Sequence, residues 1–263
     1  MNNSQTGLEI LHPDRLPGGR VQAAIFDFDG TFSTLRCGWE EVMRPMMLEY
    51  IGGGQADDAL RRRVDEYIDQ STGIQTVYQM RWLAEQVDAA NGGDPGRDEW
   101  WYKDEYNRRL MQRVGERIRR LESGEDRPEQ YLIAGAVDFL HMLREAGVDV
   151  YLASGTDHRD VLREAGILGV ADCFSEIRGA PERAAACSKE AVLRLLLEEK
   201  KLAGDRLLVV GDGKVEIALG AATDETALRG VNPVKRERLV KAGADAIVGD
   251  FTCLDALKQW LGL

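Results

Sequence analysis

The segment AIFDFDGTFS, residues 24–33, ends an apolar run in two carboxylates, Asp27 and Asp29, followed at once by Gly30 and Thr31. Crowding like charges at a strand tip costs stability unless a cation or a reaction makes use of them. Two further apolar runs end in comparable groups. VYLA leads into Ser154, Gly155 and Thr156, and LLVV into Gly211, Asp212 and Gly213. Lys189 follows Ser188, a residue suited to capping a helix, so its ammonium falls in a first helical turn. Three carboxylates, a hydroxyl and an ammonium at one sheet edge suit phosphoryl transfer through a carboxylate nucleophile. A hard Mg2+ ion, held by few carboxylates and several waters, would offset the crowded charge and polarise phosphoryl oxygens. The second carboxyl group can protonate a leaving alkoxide and then activate water. The hydroxyl and the ammonium stabilise the equatorial oxygens as charge builds.

Each group alone has a plainer reading. Asp-Gly suits a hairpin turn, Ser154 a helix cap, and Lys189 a solvated surface. Asp212 between glycines suits a turn, and Glu216 suits the complement of a helix N-terminus. Their order along the chain, each at a strand end or helix start, favours the chemical reading.

The elements that must hold these groups alternate from about residue 130. AVDFLHMLREAG precedes VDVYLASG, DHRDVLREAG precedes the short apolar piece CFSEI, KEAVLRLLLEEKKL precedes RLLVVGD, and RERLVKAGA precedes DAIVGDF. Helices alternating with near-continuous apolar strands predict an α/β fold, a doubly wound, mostly parallel, Rossmann-like sheet. Ligands of such sheets bind at the carboxyl ends of the strands.

Residues 39 to 121 follow a different rule. Leu60, Val64, Tyr67 and Ile68, and then Tyr106, Leu110, Val114, Ile118 and Leu121, recur at helical spacing, with the breakers GGGQ and NGGDPG between segments. The pattern predicts an inserted all-helical domain over 34–129, with 1–33 and 130–263 forming the α/β core. The turn QSTGIQT, which holds Gly73 and Gln75, is the segment expected to dip into the site. Arg36 and Trp39 are placed to line its entrance, where an arginine would suit a second phosphate or a carboxylate, or else simply face solvent. Asp157 and His158 read as helix-start residues.

The net charge of −11, from 45 acidic and 34 basic residues, argues against nucleic acid or an anionic membrane as partner. It does not forbid a phosphorylated substrate, because a metal ion and a lysine invert the sign locally. Four cysteines without a CxxC pair, and no apolar leader or spanning run, fit a cytoplasmic protein with reduced thiols.

Taken together, DFDGT (27–31), the serine of LASGT (154), Lys189 and GDGKVE (211–216) resemble the four ordered motifs of the haloacid dehalogenase-like hydrolase superfamily. The resemblance is to its phosphatase branch, with phosphoglycolate phosphatase and β-phosphoglucomutase-like relatives, and to members whose helical cap lies between the first and second motifs. It implies Asp27 as nucleophile and Asp29 as general acid/base. Mg2+ would be held by the carboxylates of Asp27 and Asp212 and the main-chain oxygen of Asp29, with Glu216 acting through a metal-bound water. Ser154, the Gly155 amide, Thr156 and Lys189 would hold the phosphoryl group, and Thr31 would support the first loop. The acid at position 29 favours phosphate esters over haloacids. A small phosphorylated metabolite, such as a sugar phosphate, is the implied substrate, with a sugar phosphomutase or a catalytically impaired ligand-binding module as alternatives. One departure stands out. Glu216 is followed by IALGAATDE, so the usual crossover helix is missing, and the next strand is either lost or rebuilt, for instance as an edge strand.

Overall fold

The computed structural model describes residues 7–13, 21–93, 96–184, 188–199, 201–202, 206–213, 226–228 and 233–263. Its centre is a parallel sheet in the order β4-β3-β2-β5-β6. The strands are β2 (Ala23–Phe26), β3 (Asp149–Asp157), β4 (Glu176–Ala180), β5 (Leu207–Val210) and β6 (Thr226–Leu228). AAIF and LLVV are buried along their whole length, which explains why they read as unbroken apolar runs rather than alternating ones. In register, Phe26 pairs with both Leu152 and Val210. The residues just past each of these three strands therefore emerge side by side at one edge.

Helices cover both faces. Phe139, Leu140 and Leu143 of α5 (Ala136–Glu145) and Val161 and Ala165 of α6 (His158–Ile167) pack with Phe26, Phe28 and Leu152 in one core. Val192 and Leu193 of α7 (Ser188–Arg194) pack on Ile25, Tyr151 and Val209 from the other side.

Of the two outcomes expected after the fourth motif, the strand is present rather than lost: β6 runs parallel to β5 at the sheet edge, while the connection to it lies outside the described residues. Two details differ from the sequence expectation. AIV of the last predicted strand, β7 (Ala246–Val248), leaves the main sheet and pairs antiparallel with β1 (Leu8–Ile10). The lead-in is thus partly a strand. CFSEI splits into a 3-10 turn, Ala171–Cys173, and a strand that starts at Glu176.

The helical segment consists of α1 (Glu40–Gly52), α2 (Asp58–Gln70), α3 (Thr76–Ala90) and α4 (Glu99–Glu122). Its apolar faces meet in their own core, built on Met43, Met47, Val64, Met80, Tyr106, Leu110 and Val114. Asp57 and Asp98 cap α2 and α4 by accepting the amides of Leu60 and Trp101. The chain leaves the sheet and returns to it along one seam. Thr34 donates to the Tyr131 carbonyl at 2.8 Å, and Ile133 donates to that of Phe32 at 2.9 Å. α8 (Pro233–Ala242) precedes β7 and α9 (Leu254–Leu261) follows it. No described helix is long and apolar enough to cross a membrane.

Candidate active site

Between the strand ends and the helical segment lies a cavity of ≈ 270 Å3, and its walls include Asp27, Asp29, Ser154, Gly155, Lys189 and Asp212. These six residues, all singled out from sequence, thus share one cavity. Part of this follows from the parallel register: Asp27 and Asp212 come one and two positions after the paired Phe26 and Val210, and Ser154 two after their neighbour Leu152, while Lys189 arrives from the first turn of α7.

Asp27 is 7% exposed and receives the Lys189 ammonium on Oδ1 at 2.8 Å. Thr31 Oγ1 lies 3.4 Å from its other oxygen, so the threonine sits beneath the loop rather than on the cavity wall. Burial pushes the Asp27 carboxyl above its usual range; Lys189 counteracts this, while Asp212 and Asp29 add to it. Asp29 is pushed up to about 6, chiefly by burial, against the opposing pull of Arg36. Its Oδ2 accepts the Thr156 hydroxyl at 2.7 Å, and its Oδ1 is buried with no partner among the described residues. Thr156 also donates its amide to Ser154 Oγ at 3.1 Å, which fixes the second loop.

Gly30 explains the glycine of the first motif. At φ +82° it takes the left-handed region, and a Cβ there would lie 2.4 Å from Asp212 Oδ2. The close approach brings the Asp212 carboxylate against the first loop. Glu216 lies outside the described residues.

The α2–α3 turn reaches the strand ends. Lys189 Nζ is 3.4 Å from the Gly73 carbonyl, and a Cβ on Gly155 would meet the Ile74 carbonyl at 3.1 Å. Gly73 is on the cavity wall. Gln75 is buried behind it, and the amide that lines the cavity belongs to Gln79, one helical turn later.

Arg36 differs from both expectations for it. Its side chain does line the cavity, but it is buried and neither solvated nor free to bind an anion: Nη2 lies 2.6 Å from Glu164 Oε1 and 3.0 Å from Asp160 Oδ2. Glu164 was missed by the sequence reading although a signal existed. It shares a face of α6 with buried Val161, Ala165 and Leu168, and a carboxylate on an apolar face demands a cation. Asp157 likewise does more than start a helix. It takes the ammonium of Lys103 and, at 3.2 Å, the amide of Asn107, both from α4. His158 accepts the Gly179 amide on Nδ1 at 3.1 Å.

Among the described residues the carboxylates of Asp27, Asp29 and Asp212 crowd one end of the cavity, with Lys189 on Asp27 and Arg36 acting on Asp29, an arrangement that a bound cation would further balance. No three acidic, histidine or cysteine side chains form a closed metal cage among the described residues. Asp27 and Asp212 both line the cavity, and a pair of carboxylates is the open kind of donor set that suits a largely hydrated Mg2+.

A parallel α/β sheet with reactive groups at its carboxyl edge and a helical cover over them defines a class of hydrolases. The haloacid dehalogenase-like hydrolase family model matches residues 21–224, and the chain belongs to that family. No curated protein matches the sequence. Among solved structures, a β-phosphoglucomutase from Clostridium difficile is similar with a TM-score of 0.63 at 14% identity, over 92% of this chain and 97% of that one. A predicted phosphoglycolate phosphatase from Haemophilus somnus gives 0.61 at 16%, over 92% and 100%. CbbY from Rhodobacter sphaeroides, in complex with phosphate, gives 0.57 at 19%, over 88% and 95%. At these identities the likeness is one of fold.

Proposed function

We propose that the protein is a Mg2+-dependent phosphomonoesterase that hydrolyses a small phosphorylated metabolite, such as a sugar phosphate, by way of a phosphorylated Asp27. The observation that carries this reading is the pair Asp27 and Asp29, buried in one cavity with Lys189 on the first and Thr156 on the second. Asp27 presents its oxygen to phosphorus while the Lys189 ammonium offsets charge on the transferring group. Ser154 Oγ and the Gly155 amide hold the phosphoryl oxygens. Asp29, pushed up to about 6, keeps a proton far more readily than an exposed carboxyl group and gives it to the leaving alkoxide. It then takes a proton from the water that opens the acyl phosphate. The carboxylates of Asp27 and Asp212 and the carbonyl of Asp29 would hold Mg2+, which when bound supplies Lewis-acid stabilisation of the phosphoryl oxygens. Glu216, which the family resemblance assigns to a water on the metal, is part of the same proposal.

Residues 1–33 and 130–263 act in this reading as the catalytic core and 34–129 as a cap that excludes water. The test is phosphate release from a panel of sugar and polyol phosphates, with Mg2+ and with chelator, by the wild type and Asp27→Asn. Release by the wild type that needs Mg2+, and is lost in the variant while the circular dichroism spectrum is kept, is the expected result. A variant of full rate would refute the nucleophile assignment.

A further inference from the structure

The cavity has a phosphoryl end, at the strand tips, and a far end under the helical segment, and their chemistry differs. The helical segment and the residues leading into it contribute Trp39, Glu40, Thr72, Thr76, Gln79 and Tyr106 to the walls. Two cations line the cavity among the described residues, Lys189 and Arg36. Lys189 is paired with Asp27, and Arg36 faces both Glu164 and Asp160, so the arginine cluster carries a net negative charge. Glu40 adds another. Glu40 lines the same cavity as the buried Tyr106, whose hydroxyl is held above its usual range mainly by burial, with Arg36 opposing and Asp29 and Glu40 adding to it. The start of a helix attracts anions, but Glu40 and Glu41 occupy the first turn of α1.

The geometry points to a leaving group that is not anionic and is rich in hydrogen-bond donors, with Glu40 as the residue that enforces the choice. A hydroxyl or ammonium group finds Glu40, Gln79 and two threonine hydroxyls as acceptors. A carboxylate, or a second phosphoryl group, meets Glu40 and neutral groups, with Arg36 already engaged by Glu164 and Asp160. The inference rests on the proposed phosphatase reading for which end holds the phosphoryl group, and it disfavours a mutase, whose bisphosphate must place a second phosphoryl group at the far end.

The test compares sorbitol 6-phosphate with 6-phosphogluconate, which differ by a hydroxymethyl against a carboxylate, and adds 2-hydroxyethyl phosphate, phosphoethanolamine and phosphoglycolate as a shorter series. The wild type should favour the non-anionic ester by about tenfold in kcat/KM, the size of one like-charge contact at a half-solvated wall. Glu40 is exposed, so Glu40→Gln and Glu40→Lys leave packing alone. The first should shrink the ratio several-fold and the second should invert it, mainly through KM of the carboxylate ester. A wild type that handles the carboxylate equally well, or a ratio that neither variant moves, overturns the assignment. The better of the hydroxyl and ammonium esters shows which donor is read. p-Nitrophenyl phosphate separates the two claims: if it and every ester go uncleaved, the phosphatase reading fails. The charge preference is then read from calorimetric binding of the six-carbon pair to the Mg2+-loaded protein, where preference for sorbitol 6-phosphate supports it, and preference for the carboxylate or binding of neither overturns it.

Discussion

Carboxylates at the floor of the cavity and on the outer flank of α4 are shifted in opposite directions. Asp27 and Asp29 are buried among like charges and pushed up, Asp29 to about 6. Glu105 on α4 is held down at about 2, chiefly by a hydrogen bond from Arg108, with Arg109 helping to overcome the opposing effect of burial. The flank continues with Arg109 on Glu49, Arg119 on Glu116 and Arg120 on Asp126, at 2.7, 2.5 and 2.6 Å. One region pairs its charges where water can reach them, and they cost little and contribute little. The other strips charges of water and leaves them short of partners, a strained arrangement that chemistry can use. The contrast marks the site without reference to any motif.

The contrast can be broken most sharply at Asp29. Asp29→Asn should lower kcat by about 10²–10⁴-fold, the usual worth of a general acid, as measured by phosphate release. The same variant should be more stable than the wild type at neutral pH in chelator, because a buried, crowded charge is gone. The pH dependence of the two regions should differ in sign. Asp29 is raised from 3.8 to about 6, so its contribution is fully present below about 4 and is lost as pH rises toward 6. Glu105 is lowered from 4.5 to about 2, so its contribution is present above about 4.5 and fades as pH falls toward 2. Urea melts in chelator should therefore show Asp29→Asn flattening the slope between pH 4 and 6 and Glu105→Gln flattening only the acid side.

Lys103→Met tests the boundary between the regions. It removes a largely buried ammonium from Asp157 while keeping the stem's packing, and should cost about 1–2 kcal/mol in a urea melt. The smallest effect belongs to the flank itself. Glu116→Gln should leave stability in a urea melt almost unchanged, and high salt should erase what difference remains.

The sheet and its reactive edge were legible because parallel strands buried on both faces leave unbroken apolar runs, and the first polar residue after such a run marks where the chain leaves the sheet. AAIF and LLVV are of this kind. The stripe from Tyr106 to Leu121 gave α4 for the opposite reason, since only one face of that helix is buried and its apolar residues recur once per turn. What escaped were pairings that depend on how one segment sits on another. Arg36 and Glu164 lie 128 positions apart, and nothing local to Arg36 tells a buried fork from a solvated one. Lys103 could have been noticed, since it falls on the buried side of α4 beside Tyr102 and Tyr106, but its partner Asp157 could not. Gln79 instead of Gln75 on the cavity wall is a one-turn difference, beyond what a loop pattern resolves. The β1–β7 pair joins two three-residue strands from opposite ends of the chain, too short to carry a periodic signal.

The seam by which the helical segment joins the sheet has a consequence for modular engineering. Thr34 and Tyr131 are joined by a backbone hydrogen bond of 2.8 Å, so nearly a hundred residues enter and leave through adjacent points. Replacing everything between them with a few glycines would therefore close a loop whose ends already touch, at little cost in loop-closure entropy. Foreign segments of any size could be grafted at the same port, and the strand edge below would keep its register while acquiring a different lid.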